Sequence, residues 1–457
     1  MRSLLPILGM ASMASAHTLF TTFFINGENQ GDGTCVRMPK DGETATAPIY
    51  PLTGDVMACG RDGETAAPFV CPATSGSTLT FEFRVWPNAE NPGSIDDSHK
   101  GPCAVYLKKV DDMFSEPASG PGWFKIWEDG YNADSDKWCV DKLIENNGLL
   151  SINLPTGLPS GYYLVRPELL ALHQAYRGDP QFFHGCAQVF VQNGPQRSLD
   201  LPGEYEVSIP GHVEADAPGL TFNLYEDEAS SYEIPGPKVY IPESLASSAK
   251  QSKKNEQDDG KMPDNCVLKN GNWCARPVPR SSDVDSCWES VDDCWAQSKE
   301  CWSTMPVTGG TNCEVWADYC ESLGDQCDAG NYDGPAAFDG EEQYAPVPGD
   351  IPKPYHSFQG TTVNIGEDAG GTDKEPTEPT STAETSSPPT DPAPQETSAG
   401  SAPEELKVSE DGRCGGNTGR TCKGSAFGDC CSKKGKCGRK TRHCACGCQA
   451  EFGDCSQ

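Results

Sequence analysis

Residues 78–85 read Thr-Leu-Thr-Phe-Glu-Phe-Arg-Val, a short run of aromatic and β-branched side chains that breaks off at Trp86-Pro87-Asn88. The same kind of run recurs at 104–108 (Ala-Val-Tyr-Leu-Lys) and 188–191 (Gln-Val-Phe-Val), between turns rich in Gly, Pro, Asn and Asp. Side chains of this type suit a pleated, half-buried surface, so repeated short strands between turn signals predict a β-sandwich with long loops over 17–240. A helical run is hard to find there. Six cysteines fall in this span, at 35, 59, 71, 103, 139 and 186, an even number that permits three disulfides.

Upstream, Arg2 precedes an apolar run at 4–10, and Ala14-Ser15-Ala16 forms a small-x-small cleavage signal. The expectation is a secretory signal peptide over 1–16, a secreted extracellular protein, and His17 as its first mature residue. Twenty-three cysteines in 457 residues agree with an oxidising compartment. With 35 Lys and Arg against 67 Asp and Glu, the formal charge of −32 excludes nucleic acid as a partner except locally. No later run of about 18 apolar residues predicts a transmembrane segment. A monomer is expected.

Downstream, 241–262 is polar and reads as a linker. Over 263–330, Cys287, Cys294 and Cys301 lie seven apart, each followed by Trp, and Cys313, Cys320 and Cys327 repeat the spacing. Seven residues are nearly two helical turns, so each trio lines one helix face. The expectation is a small Cys-rich helical hairpin stapled 301–313, 294–320 and 287–327, with Cys266 paired to Cys274. No His and no CxxC supports zinc there. A disordered spacer rich in Pro, Ser, Thr and Glu is expected over 331–410. The tail, 411–457, holds nine Lys or Arg against four acids, a basic outpost on an acidic chain.

A histidine at a mature N-terminus offers two ligands, the α-amine and the ring nitrogen nearer the backbone. The free amine titrates near pH ~8, so a metal displaces its proton at neutral pH. A second imidazole completes a three-nitrogen set suited to copper in both oxidation states. His99, in Asp97-Ser98-His99-Lys100-Gly101-Pro102, is the best candidate. The plainer alternative for His17 is an ordinary exposed terminus.

Roughly 17–240 resembles the fungal copper-dependent lytic polysaccharide monooxygenases of auxiliary activity family nine. The resemblance rests on the processed His17, Asp55-Val56-Met57-Ala58-Cys59, Ser98-His99-Lys100-Gly101-Pro102, Gly122-Trp123-Phe124-Lys125-Ile126, Glu128-Asp129-Gly130-Tyr131-Asn132 and Ala171-Leu172-His173. Gln181-Phe182-Phe183, Cys186-Ala187-Gln188 and Tyr232-Glu233-Ile234-Pro235-Gly236-Pro237 complete the series. It implies an immunoglobulin-like β-sandwich, one copper ion on His17 and His99, and His173 with Gln181 as the hydrogen-bonding catalytic pair. It implies a Cys59–Cys186 disulfide; the other four cysteines allow three pairings, of which 35–71 with 103–139 is a guess that the resemblance does not supply. It also implies dioxygen or hydrogen peroxide as co-substrate and an external electron donor; for a sugar-stacking ring on a flat face near the copper Tyr232 is the best candidate, with packing in its turn as the plainer alternative. The position axial to copper, Tyr in the family, is Phe183 here, and the neighbouring His184 is read as a loop residue.

The tail resembles the hevein-like chitin-binding family, carbohydrate-binding module family eighteen, through Cys414, Cys422, Cys430, Cys431, Cys437, Cys444, Cys448 and Cys455. Cys446 falls outside that framework. Ser432 is kept, but Lys434, Lys436 and His443 stand where the family stacks aromatic rings on N-acetylglucosamine, so weak chitin affinity is expected.

The leading expectation is therefore an oxidoreductase cleaving insoluble β-1,4-glucan (cellulose) at C1 and/or C4. The alternatives are a chitin-active monooxygenase, and a copper-binding cell-wall protein with little catalysis.

Overall fold

The computed structural model describes residues 17–195, 197–243, 256–335, 337–354, 406–409, 412–415, 418–425, 427–432, 435–438, 444 and 448–455. The expected signal peptide and most of the expected spacer lie outside the described residues. So do Lys433, Lys434, Arg439, Lys440, Arg442, His443 and Cys446. The chain divides into two compact units, Met1–Gly360 and Thr361–Gln457.

The first unit is mainly β, as the strand runs imply. One antiparallel sheet has the order Leu149–Asn153, Thr78–Arg84, Leu19–Ile25, Glu28–Asp32. The larger sheet runs Val207–Ile209, Gly120–Asp129, Cys103–Val110, Gly161–Ala171, Cys186–Gln192, Val36–Arg37. Gln181–His184 pairs with the end of Gly161–Ala171, and Cys71–Thr74 lies parallel to Cys186–Gln192. Phe20, Phe23, Phe81, Phe83, Leu107 and Val165 belong to the main core. Because side chains alternate across a strand, the other face of the larger sheet carries a second core, with Tyr106, Trp123, Leu164, Phe182 and Phe190. Both faces of Gly161–Ala171 are thus buried. Short helices Val56–Cys59, Cys139–Glu145 and Pro218–Thr221 interrupt the loops, where no helix was expected. Disulfides join Cys35 to Cys71, Cys59 to Cys186 and Cys103 to Cys139.

The heptad cysteines lie on two helices, Val284–Thr304 and Thr311–Asp328. Asp283 caps the first by accepting from Ser286 N at 2.9 Å. Disulfides 287–327, 294–320 and 301–313 run between them like rungs, and 266–274 closes the preceding hairpin of strands. Trp316 is fully buried, its indole donating to Cys294 O at 3.1 Å.

This helical unit is fastened to the sandwich. Asn272 Oδ1 accepts from Cys35 N at 2.9 Å, and its Nδ2 donates to Gly33 O at 2.7 Å. Asn272→Ala is expected to cost about 1–3 kcal/mol, the price of stranding buried backbone groups, read as a lower melting temperature and faster proteolysis near 256–265.

The expected linker and spacer are shorter than their composition suggests. Gln257 is buried and donates to Val70 O at 2.9 Å, while Val70 N donates to Gly260 O, so 256–260 docks on the sandwich. Past the hairpin, Phe338 packs on Trp316 at 5.3 Å and Asn312 bonds the Gln343 backbone. Aromatic and amide side chains anchor both stretches, and composition alone underrates a few such anchors.

The second unit is described by itself. Its disulfides are 414–431, 422–437, 430–444 and 448–455. Lys407–Val408 pairs with Arg420–Thr421, and Cys430–Cys431 pairs with Cys437–Gly438. Phe427 is exposed.

Candidate metal centre

The loop before Cys103–Val110 fixes His99. Asp96 O accepts the His99 amide at 3.0 Å, and Asp96 Oδ1 takes both the amide and the hydroxyl of Ser98. Ser98 Oγ then stands 3.2 Å from His99 Nδ1. The following Lys100 and Pro102 accept from Leu172 N (2.9 Å) and Leu170 N (3.1 Å), which lays 100–102 along the end of Gly161–Ala171. This approach needs a glycine in the middle, since a Cβ on Gly101 would meet Leu170 O at 1.9 Å. The consequence is that His99 and His173, distant in sequence, have ring centroids 4.2 Å apart.

His17 leads directly into the first strand, Leu19–Ile25, half-buried. Its ring is perpendicular to that of His99, with centroids 6.3 Å apart. Phe183 closes the group from the core side, 6.1 Å from His17 and 5.8 Å from His99. Phe183 sits there because it opposes Leu169 in register, and the alternation of Gln181–His184 sends residues 181 and 183 to one face and 182 and 184 to the other. Gln181 therefore joins the same end of the sheet; its Nε2 donates to Asp179 Oδ2 at 3.3 Å.

The electrostatics keep the imidazoles neutral. Burial, and then the neighbouring His173, pull His99 down to about 4. Burial also lowers His173, and burial with Arg61 nearby lowers His17. His99 is 2% exposed, and its Nε2 has no hydrogen-bond partner; nor do His173 Nδ1 and Gln181 Oε1. Neutral imidazole nitrogens facing no protein partner are what a metal requires of its ligands.

Two expectations change. Tyr232 is not a surface platform: it is 8% exposed, its hydroxyl donates to Gly219 O at 3.1 Å, and Trp138 and Phe222 each pack against it at 5.0 Å. The turn that carries it folds back over the second core, where a ring is worth more buried than wet. His184 is not in a loop either. It ends the strand fully buried, directly opposite Glu168.

Beneath it lies a polar cluster that the sequence reading missed. Arg166 Nη1 is 2.6 Å from Glu168 Oε2, Arg166 Nε donates to Met57 O at 3.1 Å, and His212 Nε2 lies 3.7 Å from the same Glu168 oxygen. Also missed were the exposed aromatics near the histidines. Tyr176, three residues past His173, stands edge-to-face with Tyr225 at 5.9 Å, and Tyr225 is 66% exposed. Tyr50 donates to Asp179, the residue that also takes Gln181. Proximity to the Ala171-Leu172-His173 motif was the one available signal, and it pointed to Tyr176 alone.

Among the described residues, no helix is long and apolar enough to cross a membrane. The family model for Auxiliary Activity family 9 (formerly GH61) matches residues 17–232. A Botryotinia fuckeliana protein named AA9 family lytic polysaccharide monooxygenase H is 39% identical over 455 residues, covering 97% of this chain and 96% of its own length. The Aspergillus tamarii AA9 family lytic polysaccharide monooxygenase C is 47% identical over 335 residues, 71% of this chain and 89% of its own. Among solved structures, CvAA9A is 33% identical and covers 49% of this chain and 98% of its own, with a TM-score of 0.43.

Proposed function

The chain belongs to Auxiliary Activity family 9, the lytic polysaccharide monooxygenases, which are oxidoreductases, and on that premise we propose that it is secreted and cleaves β-1,4-glucan oxidatively at a copper site built on His17 and His99. The observation that carries this reading is the perpendicular His17–His99 pair at 6.3 Å, with His99 Nε2 buried and without a partner. That separation leaves room for one ion at the roughly 2 Å metal–nitrogen distances that imidazoles make. Cleavage after Ala16 frees the α-amine of His17 as a third nitrogen.

Copper held there supplies one-electron chemistry that activates dioxygen or hydrogen peroxide against a C–H bond at C1 or C4, with electrons from an external donor. The chain's own residues do the rest. Ser98 and the Asp96 turn hold the His99 ring in one orientation, which keeps a ligand preorganised. His173 and Gln181 set an imidazole and an amide beside that ring, where the neutral imidazole can hold or pass a proton and the amide oxygen can accept a hydrogen bond. Phe183 presents an apolar face beneath the pair, so no protein hydroxyl competes there and water is excluded from the core side.

Tyr176, Tyr225 and Tyr50 take the sugar-stacking role in place of Tyr232. Amphipathic rings suit the flat faces of pyranoses. Tyr225→Ala is expected to weaken adsorption to cellulose about ten-fold, measured by depletion from a cellulose slurry, with the melting temperature unchanged because the ring is exposed.

The test is direct. Processed protein, copper-loaded and given ascorbate, is incubated with cellulose and with chitin, and soluble products are analysed by mass spectrometry. Oxidised cello-oligosaccharides that require copper are the expected result. Products from chitin alone would transfer the reaction to that polymer. Tight copper binding with products from neither would overturn the catalytic reading in favour of a copper-binding wall protein.

A further inference from the structure

Where the helical unit meets the sandwich there is a cleft of about 230 Å³, lined from the sandwich side by Asp32 and Asn88 and from the other side by Lys269, Thr308, Asn312 and Tyr344. The volume falls short of the roughly 300 Å³ at which drug-sized pockets begin, which leaves space for one ring-sized polar ligand. Its walls do not slide, since Asn272 and the Thr34 Oγ1 donation to Gly271 O at 2.9 Å pin the two sides together.

The charges in the cleft are already answered. Arg84 holds Asp32 through Nη1–Oδ2 at 2.7 Å and Nη2–Oδ1 at 3.1 Å. Lys269 Nζ is 3.3 Å from Glu342 Oε1 and 5.6 Å from the centre of the Tyr344 ring. An anion entering here would meet two carboxylates, and a cation would meet Lys269. A neutral ligand meets amides, hydroxyls and paired charges that donate and accept in turn. One group is already waiting: Thr308 is more than nine-tenths buried, lines the cleft, and its Oγ1 has no hydrogen-bond partner. A ligand hydroxyl would supply the partner that this group lacks. Beside it Tyr344 is 46% exposed, an aromatic residue at the mouth of a polar cleft.

We infer that this cleft is a second carbohydrate site, taking one neutral pyranose unit of a β-linked polysaccharide, separate from the histidine centre. Hydroxyl-rich rings combine a polar edge with an apolar face, and this cleft offers a polar floor and one aromatic ring. Placed on the same compact unit as the catalytic face, it raises the local concentration of glucan there without a flexible tether. It gives the disulfide-stapled helical unit a role besides stability, because the cleft exists only where that unit docks.

The experiment uses the full-length, copper-free protein, so that it is independent of the oxidative reaction. Cellotetraose, chitotetraose, xylotetraose and mannotetraose are each titrated by calorimetry and by saturation-transfer NMR. At least one is expected to bind. Tyr344→Ala and Asn88→Ala are each expected to weaken that binding about ten-fold, and thermal melting is expected to show both variants folded. Thr308→Val, isosteric and lacking the hydroxyl, is expected to weaken it with no loss of stability. Binding that Tyr344→Ala and Asn88→Ala leave unchanged, or no binding of any of the four oligosaccharides, would overturn the inference.

Discussion

His99→Ala protein, copper-loaded and given ascorbate on cellulose, is expected to release no copper-dependent oxidised oligosaccharide, and its copper affinity is expected to fall by more than about 100-fold. His99 Nε2 is buried with no protein partner, while Nδ1 is taken up by Ser98. Among the described residues no other imidazole can substitute, because His173 lies against the His99 ring and does not oppose His17 from the perpendicular position. Losing an outer-shell group around a metal costs about 10–100-fold, and losing a ligand exceeds that. His173→Ala therefore separates the two roles. It is expected to keep copper within about ten-fold of the parent's affinity while product formation slows by roughly 100-fold or more, the usual range for a lost proton-handling group. Calorimetric copper titration and mass spectrometry of products check both variants.

The largest expected loss of stability lies behind the site. Arg166→Met removes the guanidinium partner of Glu168 from a buried pair and leaves the carboxylate with the neutral imidazoles of His212 and His184 beside it. Breaking one side of a buried ion pair costs about 3–5 kcal/mol, which for a sandwich of this size lowers the melting temperature by roughly 10 °C. The pH dependence has a definite sign. Burial by itself raises the Glu168 carboxyl, but Arg166, and then His212, hold it far below the usual range. A folded value below the unfolded one contributes stability that is present above the unfolded pKa and lost as pH falls. In Arg166→Met, burial goes largely unopposed and the folded value rises above the unfolded one, so lower pH favours the folded variant. The gap in melting temperature between parent and variant is thus expected to be widest near pH ~7 and to narrow near pH ~4, around the unfolded carboxylate value. A constant gap across that range, by differential scanning calorimetry, would contradict the assignment.

How much of this was legible in the sequence follows from what each residue's position depends on. The helical hairpin was readable to its individual rungs, because a seven-residue cysteine period and the helical repeat leave one in-register arrangement. His173, Gln181 and Phe183 joined His17 and His99 only through the family resemblance that their motifs carry, and the strand pairing of 169–171 with 181–183 shows why Gln181 and Phe183 reach the end of the sheet near His173. Tyr232 was misread because a tyrosine in a Pro-Gly turn looks the same whether it faces water or folds back on Trp138. The cluster of Arg166, Glu168, His184 and His212 was invisible for another reason. Arg166 and Glu168 sit in a strand buried on both faces, where alternation of polar and apolar residues no longer marks the inside. Their partners arrive by cross-strand register and by a distant loop. The exposure of Tyr50 and Tyr225 likewise depends on loop paths that no local pattern encodes.

The central claim is that His17 and His99 hold one copper ion with the help of a free N-terminal amine. Electron paramagnetic resonance of Cu(II) bound to protein beginning at His17 tests it most directly, against the same protein carrying one extra residue ahead of His17. The account predicts one tightly held ion per chain with a three-nitrogen ligand signature, lost in His99→Ala and reduced to two nitrogens with much weaker binding when the amine is blocked. An identical spectrum and affinity in the extended protein, or in His99→Ala, would contradict it.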